Sequence, residues 1–263
     1  MTAEPAAAPA EEAPREADDV PSLPPIPPLL ERLLGVLVAP WRFLGLHHGG
    51  WGWAAPWLVV SCLGILAGVA TVANGQLGPL VEHQMERQLA SKRAELEAKG
   101  IEIPPEAQEF QVKLGVFAAK IGSVVGPPLG SLWTMLVFGC VVFLGALVFG
   151  DPQRAGVMRS ISLAAWCGLA QGVGYVAQTL ASIAGSPAPA TSLLHVVDQV
   201  EHPLVATLLS RLDPITLYYY GLLALGMHRS CGLTARASGS YVGGCFAVIS
   251  LLQLALARLG GGG

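Results

Sequence analysis

Leu129-Gly-Ser-Leu-Trp-Thr-Met-Leu-Val-Phe-Gly-Cys-Val-Val-Phe-Leu-Gly-Ala-Leu-Val-Phe149 contains no Asp, Glu, Lys or Arg. A bilayer core of about 30 Å needs roughly 20 apolar residues of helix, and this run supplies them. It belongs to a longer charge-free stretch, Ile121–Gly150. Four more such stretches follow the same pattern: Phe43–Val81, Ser160–Val197, Pro214–His228 and Ala237–Ala257. One charge at mid-bilayer costs about 3 kcal/mol on insertion scales, so charges are expected only at the ends of spans. The reading is an all-α polytopic membrane bundle of five transmembrane helices with interfacial amphipathic helices. The expected spans are 54–73, 129–149, 160–184, 215–229 and 240–257.

Composition agrees. The chain is 52% hydrophobic and 13% charged, with mean hydropathy +0.55, whereas a soluble domain carries about 25% charged residues. The net charge is -3, and no basic patch interleaves with aromatics, so nucleic acid is not an expected partner. Cys62, Cys140, Cys167, Cys231 and Cys245 lie in or beside the apolar stretches with no C-x-x-C spacing. They read as small packing residues. The acidic N-terminal residues hold no apolar signal-peptide core, so the first span is expected to act as an uncleaved signal-anchor.

Outside the spans, 1–28 is a Pro/Ala-rich acidic tail ending in Pro24-Pro-Ile-Pro-Pro28. It holds too little apolar surface to offset chain entropy, and disorder is expected. Residues 29–48 change character. Leu29, Leu30, Leu33, Leu34 and Leu37 recur at helical spacing up to Pro40. Trp41, Phe43, Trp51, Trp53 and Trp57 then cluster around His47 and His48. An interfacial helix lying on the membrane is expected there. Residues 49–259 form the membrane domain, with a polar loop at 75–126. In that loop Leu77, Val81, Met85 and Leu89 mark one amphipathic helix. A second, Glu106–Val125, is expected to stop at Pro127-Pro128. Residues 260–263 read as a flexible end.

The short turns after the second and fourth spans carry Arg154, Arg159, Arg229 and Arg236. The positive-inside rule places them and the N-terminus in the cytoplasm. The bases of the long loop (Arg87, Lys92, Arg93, Lys99, Lys113 and Lys120) argue the other way, but long loops count less in that rule.

Little chemistry is visible. No ionisable group lies in a span interior, where proton-coupled carriers need one. Three small-xxx-small pairs, Gly64 with Gly68, Gly168 with Gly172 and Gly239 with Gly243, would let helix backbones approach closely in lipid. They serve packing within the bundle or contact with a second copy. Gln171, Tyr175 and Gln178 share a helix face, either hydrogen-bonding a neighbouring helix or lining a small polar cavity. Asp213-Pro214 is a helix start: a carboxylate cap followed by a proline whose missing N–H costs nothing there. His195, Asp198 and His202 lie on one connector face, but ligands at i and i+7 are about 10 Å apart in rise, too far for one zinc ion. They and the His83/Glu86 pair read as solvated polar faces. No H-E-x-x-H, G-x-S-x-G or phosphate loop is present, and Gly49-Gly50 and Gly243-Gly244 lack its pattern. No catalytic residue, cofactor or metal site is expected.

The layout resembles the Yip family, membrane proteins whose eukaryotic members interact with Ypt/Rab GTPases, and in particular its bacterial branch. Leu33-Leu-Gly-Val-Leu-Val-Ala-Pro40-Trp-Arg-Phe43 is similar to the family's pre-membrane helix. Leu212-Asp-Pro-Ile-Thr-Leu-Tyr218 and Leu222-Leu-Ala-Leu-Gly226-Met-His-Arg-Ser-Cys-Gly-Leu-Thr234 are similar to its fourth-span stretch, with Tyr218-Tyr-Tyr220 where the family often has Trp. A long polar loop after the first span and a short turn between the next two complete the likeness. The resemblance implies a five-span bundle with a cytoplasmic N-terminus and no enzymatic activity. The expected function is a scaffold or adaptor in membrane organisation or trafficking-like processes, in a bacterial cytoplasmic (inner) membrane. Its partners would be the lipid bilayer and a membrane protein or second copy of the chain. The alternative is a transporter or channel-like carrier of a small neutral or lipid-like solute.

Overall fold

The computed structural model describes residues 27–44, 50–75, 77–79, 81–83, 85–86, 104–184 and 212–260. Among these, the regular elements are helical: α1 (Leu29–Val38), α2 (Pro40–Phe43), a 3-10 turn (Gly50–Trp53), α3 (Ala54–Ala73), α4 (Pro105–Phe149), α5 (Val157–Cys167), α6 (Leu169–Ile183), α7 (Pro214–Cys231) and α8 (Ala235–Gly260). Four stretches are long and apolar enough to cross a membrane: Ala54–Ala73, Glu106–Phe149, Val157–Ile183 and Ala235–Leu256. The fold is therefore all-helical with four candidate spans rather than five by this measure. The expected fourth span, 215–229, does form a helix of 18 residues. Its hydropathy is lowered by Tyr218, Tyr219, Tyr220, His228, Arg229 and Ser230.

The largest departure from the sequence reading lies at the proline pair. Pro127 and Pro128 were expected to separate a surface helix from a span; instead both sit inside the 45-residue helix α4. Two features make this tolerable. The residue before a proline is pushed out of helical geometry by a clash with its own Cβ, and Gly126 has no Cβ. The carbonyls of Ser123 and Val124 lose their usual i+4 donors, and α3 lies over the first of them. A Cβ built on Gly68 would overlap the Ser123 carbonyl, and one built on Gly64 would overlap Pro127. The Gly68 hydrogen standing in that direction thus points at the orphaned oxygen, the arrangement of a Cα–H···O contact. One turn along, the hydroxyls of Ser61 and Ser131 lie 3.4 Å apart, and Ser131 also donates to the Pro128 carbonyl at 3.0 Å.

α3 also packs along α6. Gln178 donates to the Thr71 hydroxyl at 3.3 Å, the Thr71 and Ser182 hydroxyls lie 3.3 Å apart, and Leu63 lies 3.1 Å from the Cβ position of Gly172. α5 packs on α4 where Gly139 meets Ile161. The loop segment expected to be amphipathic touches the bundle: Met85 lies 3.0 Å from the Cβ position of Gly115. The two arginine-bearing turns meet at one end, where Asp151 N–H donates to the Cys231 carbonyl at 3.1 Å. There Gly232 closes α7 in the left-handed region at φ 74, which glycine enters without a steric penalty.

Gly68→Ala is expected to destabilise the fold by about 1–3 kcal/mol, because backbone rather than a flexible side chain must move. Gly243→Ala, with nothing within 4 Å, is expected to change stability by less than about 0.5 kcal/mol. Thermal melts of the two variants in one detergent check this; equal melting temperatures would contradict the close crossing.

Candidate functional site

The start of α7 organises the site. Asp213 Oδ2 accepts from Thr216 N–H at 3.0 Å and from its hydroxyl at 3.2 Å, and Pro214 occupies the first helical position. This cap fixes the rotation of the next turn, and the three tyrosines there take two directions. Tyr218 turns outward and donates to the Leu37 carbonyl at 2.5 Å. Tyr219 and Tyr220 turn inward. They meet Phe138 edge-on with centroids 5.2 Å and 5.5 Å away, and Tyr220 meets Phe246 at 4.9 Å. Such pairs contribute about 0.5–1.5 kcal/mol each beyond burial, and this set joins α4, α7 and α8.

Beside this aromatic cluster lies a cleft of about 400 Å³. α4 supplies Trp133, Thr134 and Phe138, α6 supplies Gln171, α7 supplies Thr216, Tyr219 and Tyr220, and α8 supplies Ile249 and Gln253. Its shape follows from how α8 is held. Tyr241 donates to the Val141 carbonyl at 2.8 Å, and its ring rests on Gly145. Farther along α8, Val248, Leu251, Leu252 and Leu256 are exposed. α4 and α8 are tied together near Tyr241, and farther along both line the cleft, a wedge with Trp133 on one helix and Gln253 on the other.

The predicted polar face of α6 divides. Tyr175 packs against Gly64, 3.1 Å from its Cβ position, and Gln178 bonds Thr71, so both turn to α3. Gln171 turns to the cleft. The glycine pairs divide as well. Gly64 and Gly68 meet α4, Gly168 marks the junction of α5 and α6, and Gly172 meets α3, whereas Gly239 and Gly243 are exposed with no neighbour within 4 Å. His195, Asp198, His202, His47 and His48 lie outside the described residues. Among the described residues no group of three His, Cys, Asp or Glu side chains could hold a metal. The five cysteines are free thiols, Cys167 and Cys231 buried, Cys62 and Cys140 exposed and Cys245 between.

α1 and α2 form a second feature. Leu33, Val36, Leu37 and Phe43 pack on the core, as does the fully buried Leu44. The Arg32 guanidinium stands 4.7 Å from the centre of the Trp166 ring, where desolvation lowers its pKa from the ordinary value. Trp166 donates to the Gly52 carbonyl at 3.1 Å, and Ser230 donates to the Leu44 carbonyl at 2.5 Å. The segment expected to bury its whole leucine stripe in the membrane thus places Leu33 and Leu37 on protein. Leu29, Leu30, Leu34, Val38 and Trp41 remain exposed. The leucine stripe shows which residues are apolar but not whether protein or lipid covers them, and apart from Glu31 and Arg32 the helix carries no polar residue to mark the solvent side, so the sequence could not separate these two faces. The Tyr218 clamp and Gln253 were also missed. The three consecutive tyrosines and a lone amide in an otherwise apolar run were the available signals.

Compared with family models, with curated proteins and with solved structures, the chain matches none.

Tyr218→Phe combined with Ser230→Ala is expected to remove about 2 kcal/mol of clamping, two hydrogen bonds of about 1 kcal/mol each. Limited proteolysis should then cut within 29–44 faster than in the parent, with the bundle intact. Unchanged cleavage would mean that apolar packing alone holds the segment.

Proposed function

We propose that the chain is a non-enzymatic integral membrane protein of the Yip type, a five-span bundle that acts as a scaffold or adaptor in a bacterial cytoplasmic membrane, its N-terminus on the cytoplasmic side. The observation that carries this reading is α1. It is fastened to the bundle by Arg32 and Tyr218, with Ser230 holding Leu44 just after α2, yet it presents Leu29, Leu30, Leu34 and Val38 outward. An exposed patch of large apolar side chains belongs against lipid or another protein, and a rigidly held one offers a preformed surface. The fifth span would be α7. Its 18 residues rise about 27 Å, close to a bilayer core. Tyr219 and Tyr220 face protein, and His228, Arg229 and Ser230 sit at the end beside the arginine-bearing turns.

A second reading, carriage of a small neutral or lipid-like solute, is favoured by the cleft beside Gln171. Against it, Tyr175 and Gln178 are engaged with α3, so the polar lining does not continue along α6.

A photoreactive amino acid at Leu30, Leu34 or Val38 tests the scaffold reading in intact cells. Discrete adducts to a membrane protein or to a second copy of the chain are expected at these positions and not at Val36, which is buried. Adducts to lipid alone at all three positions would contradict it.

A further inference from the structure

We propose that the cleft between α4 and α8 binds an uncharged amphiphile of the monoacylglycerol class, its acyl chain entering from the bilayer and its ester and hydroxyl groups meeting Gln171, Gln253 and Thr134. This rests on the cleft alone and does not depend on the scaffold reading.

The size is suitable. Sites for small ligands span about 300–1,000 Å³, with mostly apolar walls and a few placed polar groups, and this cleft measures about 400 Å³. Trp133, Phe138, Tyr219, Tyr220 and Ile249 give the apolar walls. The polar groups are amides and hydroxyls, with no acid or base among the described lining residues. An anionic head group there would be desolvated without a counter-charge, which is costly. An ester or alcohol would not.

The amides also lack other occupation. Among the described residues, the side chains of Gln171, Gln253 and Thr134 have no hydrogen-bond partner within the protein, whereas Gln178 bonds Thr71 and Thr216 bonds Asp213. A polar group left unpaired in a span costs free energy, and a primary amide both donates and accepts. Two such groups facing one wedge match a ligand carrying both an ester carbonyl and hydroxyls.

The entrance faces lipid. Trp133 is 70% exposed at the rim, and only 6% of the α8 span is buried. The cleft lies between the Tyr241 contact and Gln253, which stands a little over three turns, or about 18 Å, farther along α8. A ligand therefore has a lateral path from the bilayer.

The test uses the full chain in nanodiscs with a monoacylglycerol bearing a diazirine in its acyl chain. Adducts located by mass spectrometry should saturate with dose and fall at the cleft residues Thr134, Phe138, Thr216, Tyr220, Ile249 and Gln253. Unlabelled monoacylglycerol should displace them, and the fatty acid of equal chain length at pH 8 should not. Gln171→Leu with Gln253→Leu should lower this labelling at least about fivefold, the equivalent of about 1 kcal/mol, while leaving labelling at outward Val248 and Leu251 unchanged. Thr134→Phe, which fills the wedge and spares both amides, should lower it as well, and it decides the matter if the double variant fails to fold. Labelling that does not saturate, that the fatty acid displaces equally, or that survives filling of the wedge would overturn the proposal.

Discussion

Two adjacent prolines inside α4 set the constraint on which the rest of the bundle depends. In water, a chain relieves Pro127 and Pro128 by ending the helix, since an interior proline costs about 3 kcal/mol. In a bilayer, breaking the helix would expose further backbone groups to hydrocarbon, so covering a freed carbonyl with a neighbouring helix is the better solution. α3 covers the Ser123 carbonyl because Gly64 and Gly68 have no side chains in the way. Once α3 is seated there, its other face is committed to α6 through Thr71, Gln178 and Ser182. The depth of this crossing also places Gly52 within reach of Trp166, and Trp166 in turn carries Arg32 of α1.

The opposite half of the molecule is held differently. α4, α7 and α8 meet through edge-on aromatic rings and the Tyr241 bond to the Val141 carbonyl. One half is therefore close-packed through glycines, and the other is spaced apart by large rings. The cleft lies in the second half for that reason: rings as large as Phe138, Tyr219 and Tyr220 keep the helix axes apart, and small residues do not fill the remainder. Gln171 connects the two halves, since it lies on the helix that packs against α3 and points at the cleft.

Much of the architecture was legible in the sequence. Ala54–Ala73 was located by its charge-free run, and the Asp213-Pro214 start of α7 by cap chemistry; both depend on local rules that tertiary contacts do not override. The proline pair was misread because the breaking rule assumes water as the alternative partner for freed carbonyls. α7 was taken as a span from its charge-free run to His228, but with its three tyrosines, His228 and Arg229 it is not among the four helices apolar enough to cross a membrane. For the candidate site, Gln171 was named but grouped with Tyr175 and Gln178, which share its helical face within about one turn's tolerance. That tolerance is wide enough for one residue to face a cleft while the others face α3. Gln253 and Tyr218 act through helices distant in sequence, and pattern alone does not reveal such pairings.

The central claim is that α3 crosses α4 at the proline pair, with Ser61 opposite Ser131. Cysteines at these two positions, in a chain whose native cysteines are replaced, test it directly in native membranes. Hydroxyl oxygens 3.4 Å apart place the two side chains face to face, so that cysteine sulfurs there can meet after a small rotamer change. The account predicts that Ser61→Cys with Ser131→Cys forms an intramolecular disulfide under mild oxidation, while Ser61→Cys paired with a cysteine at outward-facing Leu136 does not. Failure of the first pair to form, or equal formation by both, would contradict the crossing and the arrangement built upon it.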